Sequence, residues 1–480
     1  MTIKTDICVI GAGSGGLSVA VAATQMGAST VLIESGKMGG DCLNYGCVPS
    51  KSLLASAKAV HMIERQRLYG LKGQSAQVDH GLVHDHVFDV IKTIAPHDSV
   101  ERMESLGIRV FKGQAYFITR KLIKVGNQII QARRFVIATG SSPAIPPIPG
   151  LHGDDAVHFF TNETIFDVQA HLKHLIIIGG GPIGVEMAQA HCRLGSKVTV
   201  IQRSRLMPRD DGEAVDVIRH KLVSEGVKVY EHSETLNVRK DEQGNIIVAI
   251  RKGAESINIQ GSHLLVATGR QSNVDSLRLE VAGVVYSEKG IQVNENLRTS
   301  NRKIYAVGDV IGQHLFTHMA SFHASVVVRN MIFGFPRAKA KSSAVPWVTY
   351  TDPEIAQVGL TESQARARLR NSHLRILRWN IMENDRVQAE RAADAGLIKV
   401  ICTRRGKVLG ATIVSPHAGE LLLPWSLAIT EKLNIKAIAK SIVAYPTVSE
   451  ISKRVAGSFY TPVLFGEKMR RVVRFLMHFR

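Results

Sequence analysis

Residues 6–34 read Asp-Ile-Cys-Val-Ile-Gly-Ala-Gly-Ser-Gly-Gly-Leu-Ser-Val-Ala-Val-Ala-Ala-Thr-Gln-Met-Gly-Ala-Ser-Thr-Val-Leu-Ile-Glu. An apolar run enters a glycine turn, a small-residue helical pattern follows, and a second apolar run closes on an acid. This is the order of a βαβ unit that opens a dinucleotide site. Gly11, Gly13 and Gly16 supply the glycine spacing, and Glu34 stands where a carboxylate accepts from a ribose hydroxyl. One such motif is weak, but the grammar returns at residues 174–203. There His-Leu-Ile-Ile-Ile-Gly-Gly-Gly-Pro-Ile-Gly leads through a helical pattern to Lys-Val-Thr-Val-Ile-Gln-Arg, with Gly179, Gly181 and Gly184 in the same places. Two complete copies predict an α/β chain with two Rossmann-like dinucleotide-binding domains.

The rest of the chain arranges itself around these units. Ala138-Thr-Gly-Ser141 is followed by a proline-rich crossover, Pro143 to Pro149, and a similar Ala267-Thr-Gly-Arg-Gln stretch ends the second unit. Residues 304–310, Ile-Tyr-Ala-Val-Gly-Asp-Val, read as a strand returning to the first domain. From about Ala344 strands alternate with amphipathic helices, as in a separate α+β domain. The expected boundaries are 1–148 and 275–343 for the first nucleotide domain, 149–274 for the second, and 344–480 for the last.

Composition bounds the function. The 480 residues are 45% hydrophobic and 21% charged, which fits a globular chain of several domains. Met1-Thr-Ile-Lys-Thr runs straight into the first strand and no apolar stretch reaches spanning length, so the expectation is a cytoplasmic protein. The net charge of +19 suits anionic dinucleotides. No helix-turn-helix, zinc-finger or RNA-binding signature accompanies that charge, so nucleic acid is not expected as a partner. The rival from another class is a redox-silent binding protein held to an anionic surface by this charge. Cys8, Cys192 and Cys402 lie in apolar or helical patterns and are expected to be buried.

The segment Gly39-Gly-Asp-Cys-Leu-Asn-Tyr-Gly-Cys-Val-Pro-Ser-Lys51 carries the chemistry. Cys42 and Cys47 are five positions apart, about 7.5 Å of axial rise in a straight helix and too far for a disulfide. The turn must therefore be distorted, which Gly46 permits. A strained, accessible pair is of the catalytic kind, and positive charge or helix N-terminal amides would favour the thiolate. The competing reading, a metal site, has too few ligands, because no second cysteine pair accompanies the first.

On these residues the chain resembles the pyridine nucleotide–disulfide oxidoreductases, the group of glutathione reductase, dihydrolipoamide dehydrogenase and mercuric reductase. The likeness runs from the first glycine loop and the cysteine segment through both Ala-Thr-Gly stretches, the second loop and the Gly-Asp strand. It ends in Thr351-Asp-Pro-Glu-Ile-Ala-Gln-Val-Gly-Leu and Glu450. The resemblance implies FAD at Gly11, Gly13, Gly16, Glu34, Gly40, Thr139, Gly140 and Asp309, and a nicotinamide cofactor at Gly179, Gly181, Gly184 and Gly269. It implies that electrons pass from the nicotinamide through flavin to a Cys42–Cys47 disulfide. Cys47 would lie beside the flavin and Cys42 would exchange with the acceptor. Lys51 would sit near the flavin's reactive edge with Glu186 as its ion-pair partner; without the family, Glu186 reads as an exposed helix residue. It further implies a dimerisation role for 344–480 and a homodimer whose active site takes Tyr445 and Glu450 from the partner.

Two positions refine the expectation. Gln202 replaces the carboxylate that would repel a 2′-phosphate, and Arg203, Arg205 and Arg209 follow. Arg203 and Arg209 fall where NADPH-using glutathione reductases carry arginines, so NADPH is expected over NADH. In the last domain the His-Pro of disulfide reductases is replaced by Tyr445-Pro446, with Glu450 retained. A phenol is a poor proton shuttle at neutral pH, which argues against efficient reduction of glutathione or lipoamide. Mercuric reductases share that tyrosine, but their C-terminal vicinal cysteines and metal-delivery domain are not found here. The acceptor is thus expected to be a small molecule: a disulfide, a metal ion or a quinone. His80, His84 and His86 read as a solvated helix face, and no resident metal is expected. Residues 465–480 read as a short basic amphipathic helix, expected to pack on the last domain, with peripheral membrane contact as the alternative.

Overall fold

In the computed structural model, residues 2–334, 338–341 and 344–479 are described. They form two compact units, residues 1–205 with 226–341 and residues 206–225 with 342–480.

The first unit contains both glycine-turn motifs. Strand β1 (Thr2–Ile10), helix α1 (Ser14–Gln25) and strand β2 (Thr30–Glu34) make the first βαβ, and helix α2 (Cys47–Glu64) follows the cysteine segment. β1 pairs in parallel with β2 on one side and with β3 (Gln128–Ile137) on the other. The sheet continues through Arg109–Lys112 beyond β2, and through antiparallel Leu122–Val125 and Ala115–Thr119 beyond β3. Ile304–Ala306 also pairs in parallel with β3, so the chain returns to this sheet after the second nucleotide motif. The central strands are apolar on both faces because both faces are covered; Cys8, Val9 and Leu32 are fully buried.

The second motif repeats the plan. Strand β4 (His174–Ile178), helix α3 (Pro182–Arg193) and strand β5 (Lys197–Ile201) belong to a parallel sheet of order Lys228–Tyr230, β5, β4, His263–Val266. A three-stranded antiparallel sheet, Ser233–Lys240, Ile246–Lys252 and Glu255–Gly261, follows the motif. Helix α4 (Thr317–Ile332) packs on α1, and α2 packs on α3. The second contact ties the cysteine helix to the helix of the second motif.

The second unit is built on a five-stranded antiparallel sheet. Its order is Pro346–Thr349, Glu354–Gly359, Val408–Ser415, Leu397–Thr403, Leu374–Asn380. Helix α5 (Glu450–Ser458) buries Ile451, Val455 and Ala456 against it, and Trp425 fills the core. The helix Gly212–Ser224 belongs to this unit. There Lys399, 2% exposed, meets Asp211 at 2.7 Å, Glu362 at 3.0 Å and Glu213 at 3.3 Å. The last helix, α6 (Glu467–His478), has no buried residue.

Three expectations are corrected. Cys192 is only half-buried, since it lies in the last turn of α3, where the burial of residues 184–191 on every side of the helix ends. The histidines of 80–86 are not a uniformly solvated face. His80 stacks on His171 with ring centroids 4.8 Å apart, His84 lies on Phe88, and only His86 points outward. The expected packing of the C-terminal helix does not occur: Phe475, Leu476 and Phe479 are all more than half exposed.

Candidate active site

The two nucleotide turns work by close backbone approach. Gly11 has φ +102°, and a Cβ there would lie 2.3 Å from the Ala138 carbonyl oxygen. A Cβ on Gly16 would lie 1.8 Å from the Gly11 carbonyl oxygen. Gly179 and Gly184 repeat this against Ala267 and Gly179, at 2.3 and 1.9 Å. Each helix can therefore begin against its strand only with glycine, which leaves its first amides to face an anion. Gly13 and Gly181 are the residues preceding those helices.

The acceptors at the strand ends differ. The Glu34 carboxylate accepts from the Ala12 and Gly36 amides, both at 2.6 Å, and keeps further lone pairs for a ribose. Gln202 takes the equivalent place: its side-chain oxygen accepts from the Gly180 amide at 2.7 Å, and its NH2 donates to Ser204 at 3.0 Å. It brings no negative charge. Arg203 is exposed beside it; Arg209 is also exposed and belongs to the second unit.

Asp309 lies in the Gly308–Ile311 turn, where Ser141 donates to it at 2.7 Å. Burial holds its carboxyl above the ordinary range, opposed by the Ser141 hydrogen bond and the charge of Arg270. Arg270 went unnoticed in the sequence. It donates to the Ser141 hydroxyl at 2.7 Å and carbonyl at 2.6 Å, and pairs with Asp41 at 3.0 Å. It thus joins both Ala-Thr-Gly stretches to the cysteine segment, and its position directly after Gly269 was the available signal. Thr139 and Asn273 exchange hydrogen bonds beside it. Gly140 and Gly269 have open space where a Cβ would stand. Backbone amides at helix starts, a charged acceptor at one strand end and clear glycine cradles fit a flavin dinucleotide at the first motif. The second motif likewise suits a nicotinamide dinucleotide.

The cysteine segment is broken as its spacing requires. Cys42 lies in the short helix Gly40–Asn44, and Cys47 begins the long helix α2. Gly46 joins them, and a Cβ there would come within 3.3 Å of the Cys42 Cα. Asn44 donates to the Met38 and Gly40 carbonyls, and Asn162 to Asp41 and to the Tyr45 carbonyl, so the segment is pinned from both ends. Gly40 packs on Gly13, which links the segment to the first nucleotide turn. Both cysteines are free thiols, Cys42 half-buried and Cys47 exposed.

The two thiols are not equivalent. A hydrogen bond from Cys42, another from Thr317 and the charge of Lys51 lower the Cys47 thiol to about 6. Its place at the start of an 18-residue helix works in the same direction. Cys42 is pushed up, chiefly by the hydrogen bond it makes to Cys47 and then by burial. Thr317, the first residue of α4, lies 3.7 Å from the Cys47 sulfur; no sequence signal marked it. Lys51, one turn into α2, reaches Glu186 on α3 at 2.8 Å. Glu186 is 4% exposed, so the exposed-helix alternative is excluded by the packing of α2 on α3.

In the second unit the Tyr445 hydroxyl donates to Asp385 at 2.9 Å. That hydrogen bond raises the phenol above its ordinary 10.0. Glu450, at the start of α5, pairs with Arg454 at 3.6 Å. Within the chain the Tyr445 hydroxyl is thus held by Asp385, while Glu450 is engaged by Arg454.

The comparisons agree with this architecture. The family model "Pyridine nucleotide-disulphide oxidoreductase" matches residues 5–326, and that family's dimerisation domain matches residues 345–456, which supports a homodimer. A mercuric reductase of Streptomyces lividans is 35% identical over 467 residues, covering 95% of this chain and 97% of the relative. A dihydrolipoyl dehydrogenase of Geobacillus stearothermophilus is 30% identical over 467 residues, covering 95% and 96%. The HOCl-induced flavoprotein disulfide reductase RclA from Escherichia coli superposes with a TM-score of 0.83 at 25% identity, covering 94% of this chain and 99% of that one. Among the described residues no helix is long and apolar enough to cross a membrane. The chain therefore belongs to the class I pyridine nucleotide-disulphide oxidoreductase family, flavoenzymes that are FAD-dependent and use NAD(P)H.

Proposed function

We propose that the protein is an NADPH-dependent reductase of thiol-seeking metal ions, using Cys42 and Cys47 as its dithiol. In this reading residues 1–148 and 275–343 hold FAD, 149–274 hold the nicotinamide cofactor, and 344–480 form the subunit contact. FAD, when bound, would carry the electron pair between the nicotinamide and the cysteine pair. The protein's own part is to hold Cys47 as a thiolate through Cys42, Thr317 and Lys51, and to position Lys51 through its ion pair with buried Glu186.

The observation that carries the acceptor choice is Tyr445. Reduction of a disulfide substrate needs a proton for the departing thiol. A phenol held by Asp385 with its pKa raised is a weak general acid at neutral pH. A soft metal ion needs two thiolates and electrons but no such proton. The name of the Streptomyces relative, mercuric reductase, and the copper(II) complex of the E. coli reductase point the same way. The preference for NADPH rests on the uncharged Gln202 and on exposed Arg203 beside it.

Anaerobic NADPH oxidation by the FAD-loaded protein tests the reading. Mercuric or cupric ion should support turnover that Cys42→Ser and Cys47→Ser each abolish. The ratio of kcat/KM for NADPH over NADH should exceed one and should fall below one in Arg203→Glu. Higher kcat/KM for glutathione disulfide or lipoamide than for either metal ion would overturn the acceptor, and equal use of both nicotinamides would overturn the cofactor preference.

A further inference from the structure

The helix α6 and the turn before it have no place in the redox reading. The match to the family's dimerisation domain ends at residue 456, before α6 begins. Every described residue of α6 is at least partly open, and none is buried. By contrast α5, nine residues long in the same unit, buries four of its side chains. The exposed apolar side chains are large: Val472 at 50%, Val473 at 44%, Leu476 at 58% and Phe479 at 72%, with the Phe475 ring against that of Phe479 at a centroid distance of 4.9 Å. Single exposed apolar residues are ordinary on a protein surface, but a whole helix face of them marks an interaction surface.

The charge pattern selects the partner. At 100° per residue, Met469, Val472, Val473, Leu476 and Phe479 share one face. Arg471, Arg474 and His478 fall on the opposite face, while Lys468 and Arg470 flank the boundary. Four lysines and arginines stand against one acid, Glu467, which Arg471 partly neutralises at 3.8 Å. Long cationic side chains at the edge of an apolar face keep their charges level with anionic headgroups while the apolar face enters the acyl boundary. The helix is about 18 Å long, enough to lie in an interface and too short to cross one. A second copy of the same helix would bring one arginine-rich edge against another, which like-charge repulsion opposes. The chain's net charge of +19 adds long-range attraction to the same kind of surface.

From this pattern we infer that residues 465–479 form a peripheral membrane anchor that lays the α6 apolar face into an anionic phospholipid surface. The anchor is independent of which acceptor the cysteine pair serves, so its failure and the failure of the proposed activity are separately visible. Salt should weaken the contact, since part of it is electrostatic and screened.

Sedimentation of the full-length, FAD-loaded protein with vesicles is the test. Vesicles of phosphatidylcholine alone are compared with vesicles that also contain phosphatidylglycerol. The expected result is at least about tenfold stronger partitioning onto the anionic vesicles, lost when salt is raised to about 0.5 M. The double variant Leu476→Ser/Phe479→Ser and the double variant Arg470→Gln/Arg474→Gln should each weaken partitioning by about tenfold. Both keep buried residues intact, so flavin absorbance and NADPH-dependent turnover should be unchanged. Equal partitioning onto the two vesicle types, or partitioning unaffected by both variants, overturns the anchor. So does conversion of a dimer to a monomer by Leu476→Ser/Phe479→Ser in light scattering, which would make the face a subunit contact.

Discussion

Thr317 offers a direct measure of how this fold makes a thiolate. Its hydroxyl lies 3.7 Å from the Cys47 sulfur, and it acts with Cys42 and Lys51 to lower that thiol from 9.0 to about 6. A thiol at 9.0 is about 1% ionised at pH 7, whereas one at about 6 is about 90% ionised. Thr317→Val keeps the shape of the side chain and removes the hydroxyl. A hydrogen bond to a charged group is worth about 1.5–3 kcal/mol, and the long sulfur–oxygen distance with solvent nearby places this one at or below the lower end. The thiolate's titration midpoint should therefore rise by about one unit, which corresponds to about 1.4 kcal/mol. The sign follows from the donor: losing a hydrogen bond to the anion favours the neutral thiol. The assay is the long-wavelength absorbance of the two-electron-reduced protein, which reports a Cys47 thiolate against oxidised FAD, followed from pH 4.5 to pH 9. Cys42→Ser, which has no disulfide to reduce, should show the band with oxidised FAD before any reductant is added, and Cys47→Ser should lose it. An unmoved midpoint in Thr317→Val refutes the hydroxyl's part, and a band that survives Cys47→Ser refutes the assignment of the thiolate.

Two further outcomes follow from the second unit. Lys399→Met leaves Asp211, Glu213 and Glu362 without their shared cation, and removing one partner of a buried pair costs about 3–5 kcal/mol. Arg378 and Lys399 hydrogen bonds hold Glu213 below 4.5; burial raises Glu362, but Arg366 and Lys399 outweigh it. Depressed carboxylates contribute stability above about pH 4.5 that is lost as pH falls through their folded values. The thermal-unfolding deficit of Lys399→Met should thus be largest near neutral pH and shrink below about pH 4.5; a deficit independent of pH would contradict the ionic account. Tyr445→His should raise kcat/KM for glutathione disulfide by at least about tenfold, since imidazole supplies the missing general acid. No gain would show that something other than the proton donor limits that substrate.

What the sequence determined by itself was set by local backbone geometry. The two nucleotide turns were legible because Gly11, Gly16, Gly179 and Gly184 touch carbonyls of their own or the adjoining strand, where no side chain fits. The cysteine segment was legible because a five-residue spacing cannot close a disulfide in a regular helix, and Gly46 marks where the helix breaks. The parallel sheets followed from apolar runs that require cover on both faces. What only the tertiary structure decided are pairings between segments far apart in the chain. Glu186 meets Lys51 because α2 packs on α3, and helical periodicity alone does not say which neighbour a face will find. Arg270 joins Ser141, Asp41 and Asp309, Thr317 reaches Cys47, and Asp385 takes the Tyr445 hydroxyl, each across more than 35 positions. The amphipathic pattern of α6 was plain in the sequence, but its exposure was not. A moment gives the direction of a helix's apolar face, and only the packed fold determines whether anything covers it.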